Sequence, residues 1–116
     1  MTREFIISKE FDKKWKELGL NDFDLRQLET FLCEHPDSGD IMQGTGGVRK
    51  IRWALEGRGK SGGARIIYLD ILCSAHIYLL TVFPKNEKIN LSKEERNNIY
   101  QLVSAIKKAE EENNGK

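Results

Sequence analysis

The sequence predicts an α+β fold: an N-terminal strand and helical pair, then an antiparallel sheet, then a C-terminal helix. Three observations predict it. Apolar residues recur at helical spacing in the first third, alternate with a period of two through the middle, and return to helical spacing after Ser92. Strands gathered in the middle with helices to either side are the arrangement of an α+β protein rather than of a repeating β-α-β chain.

Residues 3–7 form a short apolar run with β-branched members, suited to a strand. Ser8 fits the N-cap of a helix in which Phe11, Trp15 and Leu18 share a face, and Gly19 fits its stop. Asn21 caps a second helix with a stripe of Leu25, Leu28 and Leu32, broadened by Phe31 and ended by Pro36 and the run Asp37-Ser38-Gly39-Asp40. The period then changes: Ile51, Trp53 and Leu55 alternate with Lys50, Arg52 and Ala54, giving a strand with one apolar and one largely cationic face. The glycine-rich stretch from Glu56 to Gly63 is a loop joining this strand to an antiparallel neighbour. Beyond Arg65, Ile66-Ile67-Tyr68-Leu69 is apolar on both faces, as a central strand is. After a turn at Cys73-Ser74-Ala75-His76, residues 77–83 form a last strand whose ladder Pro84 ends. Ser92-Lys93-Glu94-Glu95 is a capping box, followed at helical spacing by Ile99, Leu102, Val103 and Ile106. Residues 110–116 hold no apolar side chain and are expected to fray.

With 116 residues and no linker, the chain is expected to be one domain spanning residues 1–116. No segment is apolar over the roughly 18 residues of a membrane span, and the N-terminus is too briefly apolar for a signal peptide. The expected compartment is the cytoplasm, with no membrane partner. Cys33 and Cys73 lie in apolar stretches and read as small core residues. No CxxC, HExxH or His/Cys cluster occurs, His35 and His76 are far apart, and neither a metal nor another cofactor is expected.

The formal net charge is only +1, but the charge is unevenly placed. Between Gly44 and Arg65 stand Arg49, Lys50, Arg52, Arg58, Lys60 and Arg65 against one acid, Glu56. A basic band on a near-neutral body is an electrostatic footprint for phosphate. Glycines within the band permit close backbone approach to an anion, but no GxxxxGK[ST] is present, which argues against a nucleoside triphosphate. Lys50 and Arg52 point to one face of their strand, opposite Ile51 and Trp53. Arg65 leads an apolar run, so its guanidinium must meet an acid or await a phosphate. Lys85 follows the last strand and can converge on the same end of the sheet. Against this stands the ordinary reading of a solvated cationic face. Trp53 is read as core, and Tyr68 and Tyr78 as packing residues with hydroxyls in water, whereas Tyr100 lies on the polar side of the last helix.

Three segments, Gly44-Thr45-Gly46-Gly47-Val48-Arg49-Lys50-Ile51-Arg52, Gly59-Lys60-Ser61-Gly62-Gly63-Ala64-Arg65-Ile66-Ile67-Tyr68 and Phe83-Pro84-Lys85-Asn86-Glu87-Lys88-Ile89-Asn90-Leu91, resemble in order and spacing the HigB branch of the RelE/ParE toxin superfamily. The likeness runs from Phe5 to about Ile106. It implies helices packed on an antiparallel sheet, ribosome-dependent cleavage of mRNA in the decoding site of the small subunit, and a cognate antitoxin, commonly a helix-turn-helix DNA-binding protein. Carried over by position, it implies a central catalytic arginine at Arg65 with Lys50, Arg52, Lys60 and Lys85 as basic partners, the three lysines being the further catalytic candidates. Arg49, Arg52 and Arg58, with Gly46, Gly47, Gly62 and Gly63, are the candidate RNA- and phosphate-binding residues. Pro84 departs from the small residue that the family pattern places before the last lysine.

Metal-free RNA cleavage requires the ribose 2′-hydroxyl to attack its own phosphate, and fixed cations answer the charge that develops. Crowding by other cations favours a neutral lysine, which suits Lys50, Lys60 or Lys85 as general base, while Arg65 suits a bidentate clamp. Two other readings fit the same band: a ParE-like inhibitor of gyrase, and a nucleic-acid-binding module without catalysis.

Overall fold

The computed structural model describes residues 3–54, 63–85, 87 and 91–114. Strand β1 (Glu4–Ile7) leads directly into helix α1 (Lys9–Glu17). Ser8 makes that sharp join: its oxygen accepts from the Phe11 N–H at 3.0 Å, and its O–H donates to the Leu80 carbonyl at 2.7 Å. Gly19, at φ +78°, lets the chain leave α1, and an Asn21/Asp24 capping box starts α2 (Asp22–Glu34). Phe11, Leu28 and Leu32 are fully buried, each contributing about 1.5–3 kcal/mol through removal from water.

Then come β2 (Asp40–Ile41), β3 (Arg49–Ala54), β4 (Gly63–Ile71), a 3-10 turn at Leu72–Ser74, β5 (His76–Pro84) and α3 (Lys93–Asn114). The strands lie in the order β1-β5-β4-β3-β2, so the chain crosses from one edge of the sheet to the other through α1 and α2. Central β4 is covered on both faces. Ala64, Ile66 and Tyr68 meet α1 and α2, while Ile67, Leu69 and Ile71 join Met42, Val48 and Val103 under α3.

The structure departs from the sequence expectations at several points. The sheet is mixed, because β1 pairs with β5 in parallel. A strand that returns after two helices need not be antiparallel to a neighbour distant in sequence. A two-residue strand, β2, forms where only a loop is expected, held by the register Asp40–Lys50 and Ile41–Arg49. Leu102 is 53% exposed rather than packed. Leu55 and residues 56–62 of the expected loop lie outside the described residues, but the strands they join are antiparallel, as expected.

The tail expected to fray from residue 110 remains helical to Asn114, because Glu110 is buried and anchored. Its carboxylate accepts from the Tyr78 hydroxyl and stands 3.0 Å from His76 Nδ1, and His76 Nε2 lies 3.4 Å from Glu4. The Tyr78 hydroxyl is therefore not free in water. Burial, reinforced by the Glu110 carboxylate, pushes its pKa up to about 12. The nearby Ser74 hydroxyl, although outside hydrogen-bond geometry, the Tyr78 phenol and His76 together hold Glu110 below its ordinary value, against the opposing effect of burial. A carboxyl whose folded pKa is lowered stabilises the fold above its unfolded value of 4.5 and loses that contribution as pH falls through the folded value. Acidification below about pH 4.5 should thus loosen the last turns of α3, seen as faster amide exchange over residues 106–114. In Glu110→Gln these turns should be looser at neutral pH and lose that pH dependence.

Candidate functional site

The β3–β4 register sets Arg52 directly opposite Arg65, and the β4–β5 register sets Arg65 opposite Phe83. This row crosses three strands on the face that carries α3. Lys50 stands one step along β3 on the same face, opposite Ile67 and next to Asp40 of β2. The row depends on a bulge: Ile67 pairs with Thr81 but Tyr68 pairs with Leu79, so Leu80 is the extra residue. The bulge reverses the alternation of β5 beyond it, which puts Val82 in the core and Phe83 beside Arg65. Helix α3 covers the half of this face around Ile67, Leu69 and Ile71. A cleft of about 300 Å³ remains, lined by Asp40, Lys50, Ile51, Arg52 and Arg65.

Like charges directly opposite on paired strands repel, so the site is at odds with the sheet that carries it. Among the described residues, no ion pair involves Lys50, Arg52, Arg65 or Lys85, and the buried Arg65 Nε has no hydrogen-bond partner. A buried donor without an acceptor costs about 1–3 kcal/mol. An anion accepting from Arg65 would relieve both the unmet donor and the repulsion.

Lys85 reaches this end of the sheet because Gly63 has no side chain. A Cβ on Gly63 would stand 2.6 Å from Lys85 Cδ and 3.2 Å from its Cβ. Gly63 shares the face of Arg65, and the lysine stem lies over it. Gly63 thus gives room for that side chain.

The other sequence candidates divide. Arg49 turns to the opposite face and donates to the carbonyls of Gly39 at 2.7 Å and Asp37 at 3.2 Å. Beside it the fully buried Tyr68, expected to keep its hydroxyl in water, donates to the Pro36 carbonyl at 2.8 Å and accepts from the Gly39 N–H at 3.0 Å. Gly39 is required here, since a Cβ would lie 2.8 Å from the Lys50 carbonyl. In the sequence the only signal for this glycine is its place in the run after Pro36. Gly46 and Gly47, at φ +85° and +114°, belong to the β2–β3 loop that docks on α3. Gly46 abuts Val103 and Tyr100, and its carbonyl accepts from Lys107 at 2.6 Å. Arg58, Lys60 and Gly62 lie outside the described residues. Trp53 packs with Phe31 at 5.2 Å between ring centres, as expected of a core residue. Among the described residues, no group of three or more His, Cys, Asp or Glu side chains is placed to hold a metal ion, and no helix is long and apolar enough to cross a membrane.

Residues 5–114 match the sequence profile of the family described as the RelE toxin of the RelE/RelB toxin-antitoxin system. The chain belongs to the RelE toxin family. The free E. coli toxin RelE, as a double arginine-to-alanine mutant, superposes with a TM-score of 0.53 at 18% identity, over 74% of this chain and 86% of that one. A chain of the intact E. coli RelBE toxin-antitoxin complex gives 0.49 at 20% identity, over 74% and 100%. The P21 form of isolated E. coli RelE gives 0.49 at 17%, over 90% and 99%. At 18% identity the first likeness is one of fold, and it agrees with the α+β architecture of this member.

The two arginines on opposite faces should behave oppositely in this RelE-family chain. Arg49→Ala should lower stability by about 1–3 kcal/mol in urea unfolding, because two loop carbonyls lose a charged donor. Arg65→Ala should leave stability within about 0.5 kcal/mol or raise it, because it removes an unmet donor and a like-charge contact.

Proposed function

We propose that this RelE-family toxin is a ribosome-dependent mRNA endoribonuclease that cuts through 2′-hydroxyl attack, with Arg65 as the clamp on the scissile phosphate. The observation that carries the proposal is the row of cations on the half of the sheet that α3 leaves, unpaired among the described residues, with the Arg65 Nε lacking an acceptor among them. Asp40 is the one acid among the described residues lining this cleft, against three cations, so the site carries an excess of positive charge and favours an anion from outside. The family profile, which describes a toxin, and the HigB-like segments support the same reading.

In the reaction a neutral lysine accepts the 2′-hydroxyl proton, O2′ bonds to phosphorus, and the bond from phosphorus to O5′ breaks. The departing O5′ takes up a proton, leaving a 2′,3′-cyclic phosphate upstream and a 5′-hydroxyl downstream. Lys50 and Lys85, which share the face of Arg65, are candidates for proton transfer, with Lys60 as the third candidate from the sequence. The guanidinium groups of Arg65 and Arg52 answer charge on the phosphoryl oxygens. With no histidine in the row, in-line placement of the nucleotides falls to the ribosome. The toxin would act in the cytoplasm and be restrained by a cognate antitoxin, of the helix-turn-helix type by the HigB resemblance. An acidic antitoxin surface over the row would give a salt-sensitive complex, whereas steric exclusion from the ribosome would not.

On translating ribosomes, Arg65→Ala should lower the cleavage rate at least a hundredfold, about 3 kcal/mol of activation free energy. Mapping mRNA ends should find new 5′-hydroxyl ends within codons in the decoding site, and a 2′-deoxy sugar at the scissile position should block cutting. Ends bearing 5′-phosphate, or efficient cutting of the deoxy substrate, would contradict the mechanism. Gyrase inhibition without new mRNA ends would favour the ParE-like reading.

A further inference from the structure

We infer that Lys14 of α1 forms a second phosphate subsite, which receives the mRNA backbone phosphate next to the scissile one. This rests on the nuclease reading above. Strand β1 ends at Ile7, opposite Leu79, so among the described residues β5 from Leu80 onward has no strand on its outer side. Helix α1 buries Phe11 and Trp15 against the far face of the sheet, yet Lys14 Nζ lies 4.3 Å over the ring of Phe83, whose neighbour in register is Arg65. Lys14 therefore reaches the open edge of β5 from the other side of the sheet and continues the row Arg52, Arg65, Phe83.

Adjacent strands lie about 4.8 Å apart, so the Lys14 ammonium is roughly 10 Å from the β4 backbone at Arg65. That is the span of one to two nucleotides in an extended strand. The Phe83 ring holds the ammonium through its negative face without neutralising it. The nearest acid, Glu10, is at the 4.0 Å limit of an ion pair, and exposed pairs of this kind contribute little. Lys16, two residues away, is instead paired with Asp12 at 3.0 Å and is 71% exposed. Lys14 is thus a lysine of α1 that is aimed at the row and has only the long Glu10 pair to exchange for an anion. An RNA strand laid along the row crosses the strands at right angles, meeting Lys14 at its β5 end and Arg52 at its β3 end.

The phosphate could belong to the mRNA or to ribosomal RNA, and the inference assigns it to the mRNA. The test is single-turnover cleavage on programmed ribosomes, titrating wild type, Lys14→Gln, Lys14→Arg and, as control, Lys16→Gln. Lys14→Gln should raise the half-saturating toxin concentration about three- to tenfold while keeping the maximal rate within about twofold. It should also lower the slope against log salt by about 0.7. Lys14→Arg should restore both, and Lys16→Gln should match wild type. A neutral methylphosphonate beside the scissile phosphate should weaken wild type by the same factor and add nothing to Lys14→Gln. Unchanged half-saturation in a cooperatively folded Lys14→Gln would overturn the inference. Additive effects of the two changes would assign the contact to ribosomal RNA and overturn it as well. Wild type that cuts no mRNA would instead overturn the nuclease reading itself.

Discussion

The structure depends on holding Arg52 and Arg65 side by side against their mutual repulsion. Neither gains an acidic partner among the described residues. What holds them is the six-pair register of β3 on β4, fixed by the buried face that alternates with them: Ile51 on Ile66 and Trp53 on Ala64. A slip of one residue would turn these apolar side chains to water and the cations to the core. The apolar face thus specifies the position of the charged face, and burial of Ile66, Ala64 and Tyr68 opposes the local cost of the cations.

Around that row the remaining parts act at a distance. The bulge at Leu80 selects Phe83 rather than its neighbour to stand beside Arg65. Helix α3 is fastened along its length, by Arg96 to the Gln43 carbonyl, by Lys107 to the Gly46 carbonyl and by Glu110 to Tyr78 and His76. Each tie lies away from the cleft, so the helix covers half of the sheet face and leaves the cationic half open. On the opposite face, the network of Tyr68, Gly39, Pro36 and Arg49 fixes the chain where α2 leads into β2. It supports the site without entering it.

Cations that follow one another in a glycine-rich stretch need not share a task. Arg49 and Lys50 are adjacent in sequence, yet the pleat sends one to loop carbonyls and the other to the cleft. Gly46 and Gly63 both lie in glycine-rich runs, but one admits α3 and the other admits the stem of Lys85. In both places backbone space is used for a neighbouring part of the same chain.

The sequence by itself determined the order of the elements other than β2, the caps at Ser8, Asn21 and Ser92, and the shared face of Lys50 and Arg52. Each depends on neighbours a few residues apart, where side-chain period and capping chemistry act directly. It also carried the family, through three spaced segments. Only the tertiary structure decided that β1 runs parallel to β5, that Arg65 faces Arg52, that Glu110 anchors the last helix to Tyr78 and His76, and that Lys14 reaches Phe83 from behind the sheet. These relations join residues from 13 positions apart, for Arg52 and Arg65, to more than 60, for Lys14 and Phe83. No local pattern records them, because they follow from how the faces are covered and from one extra residue in β5.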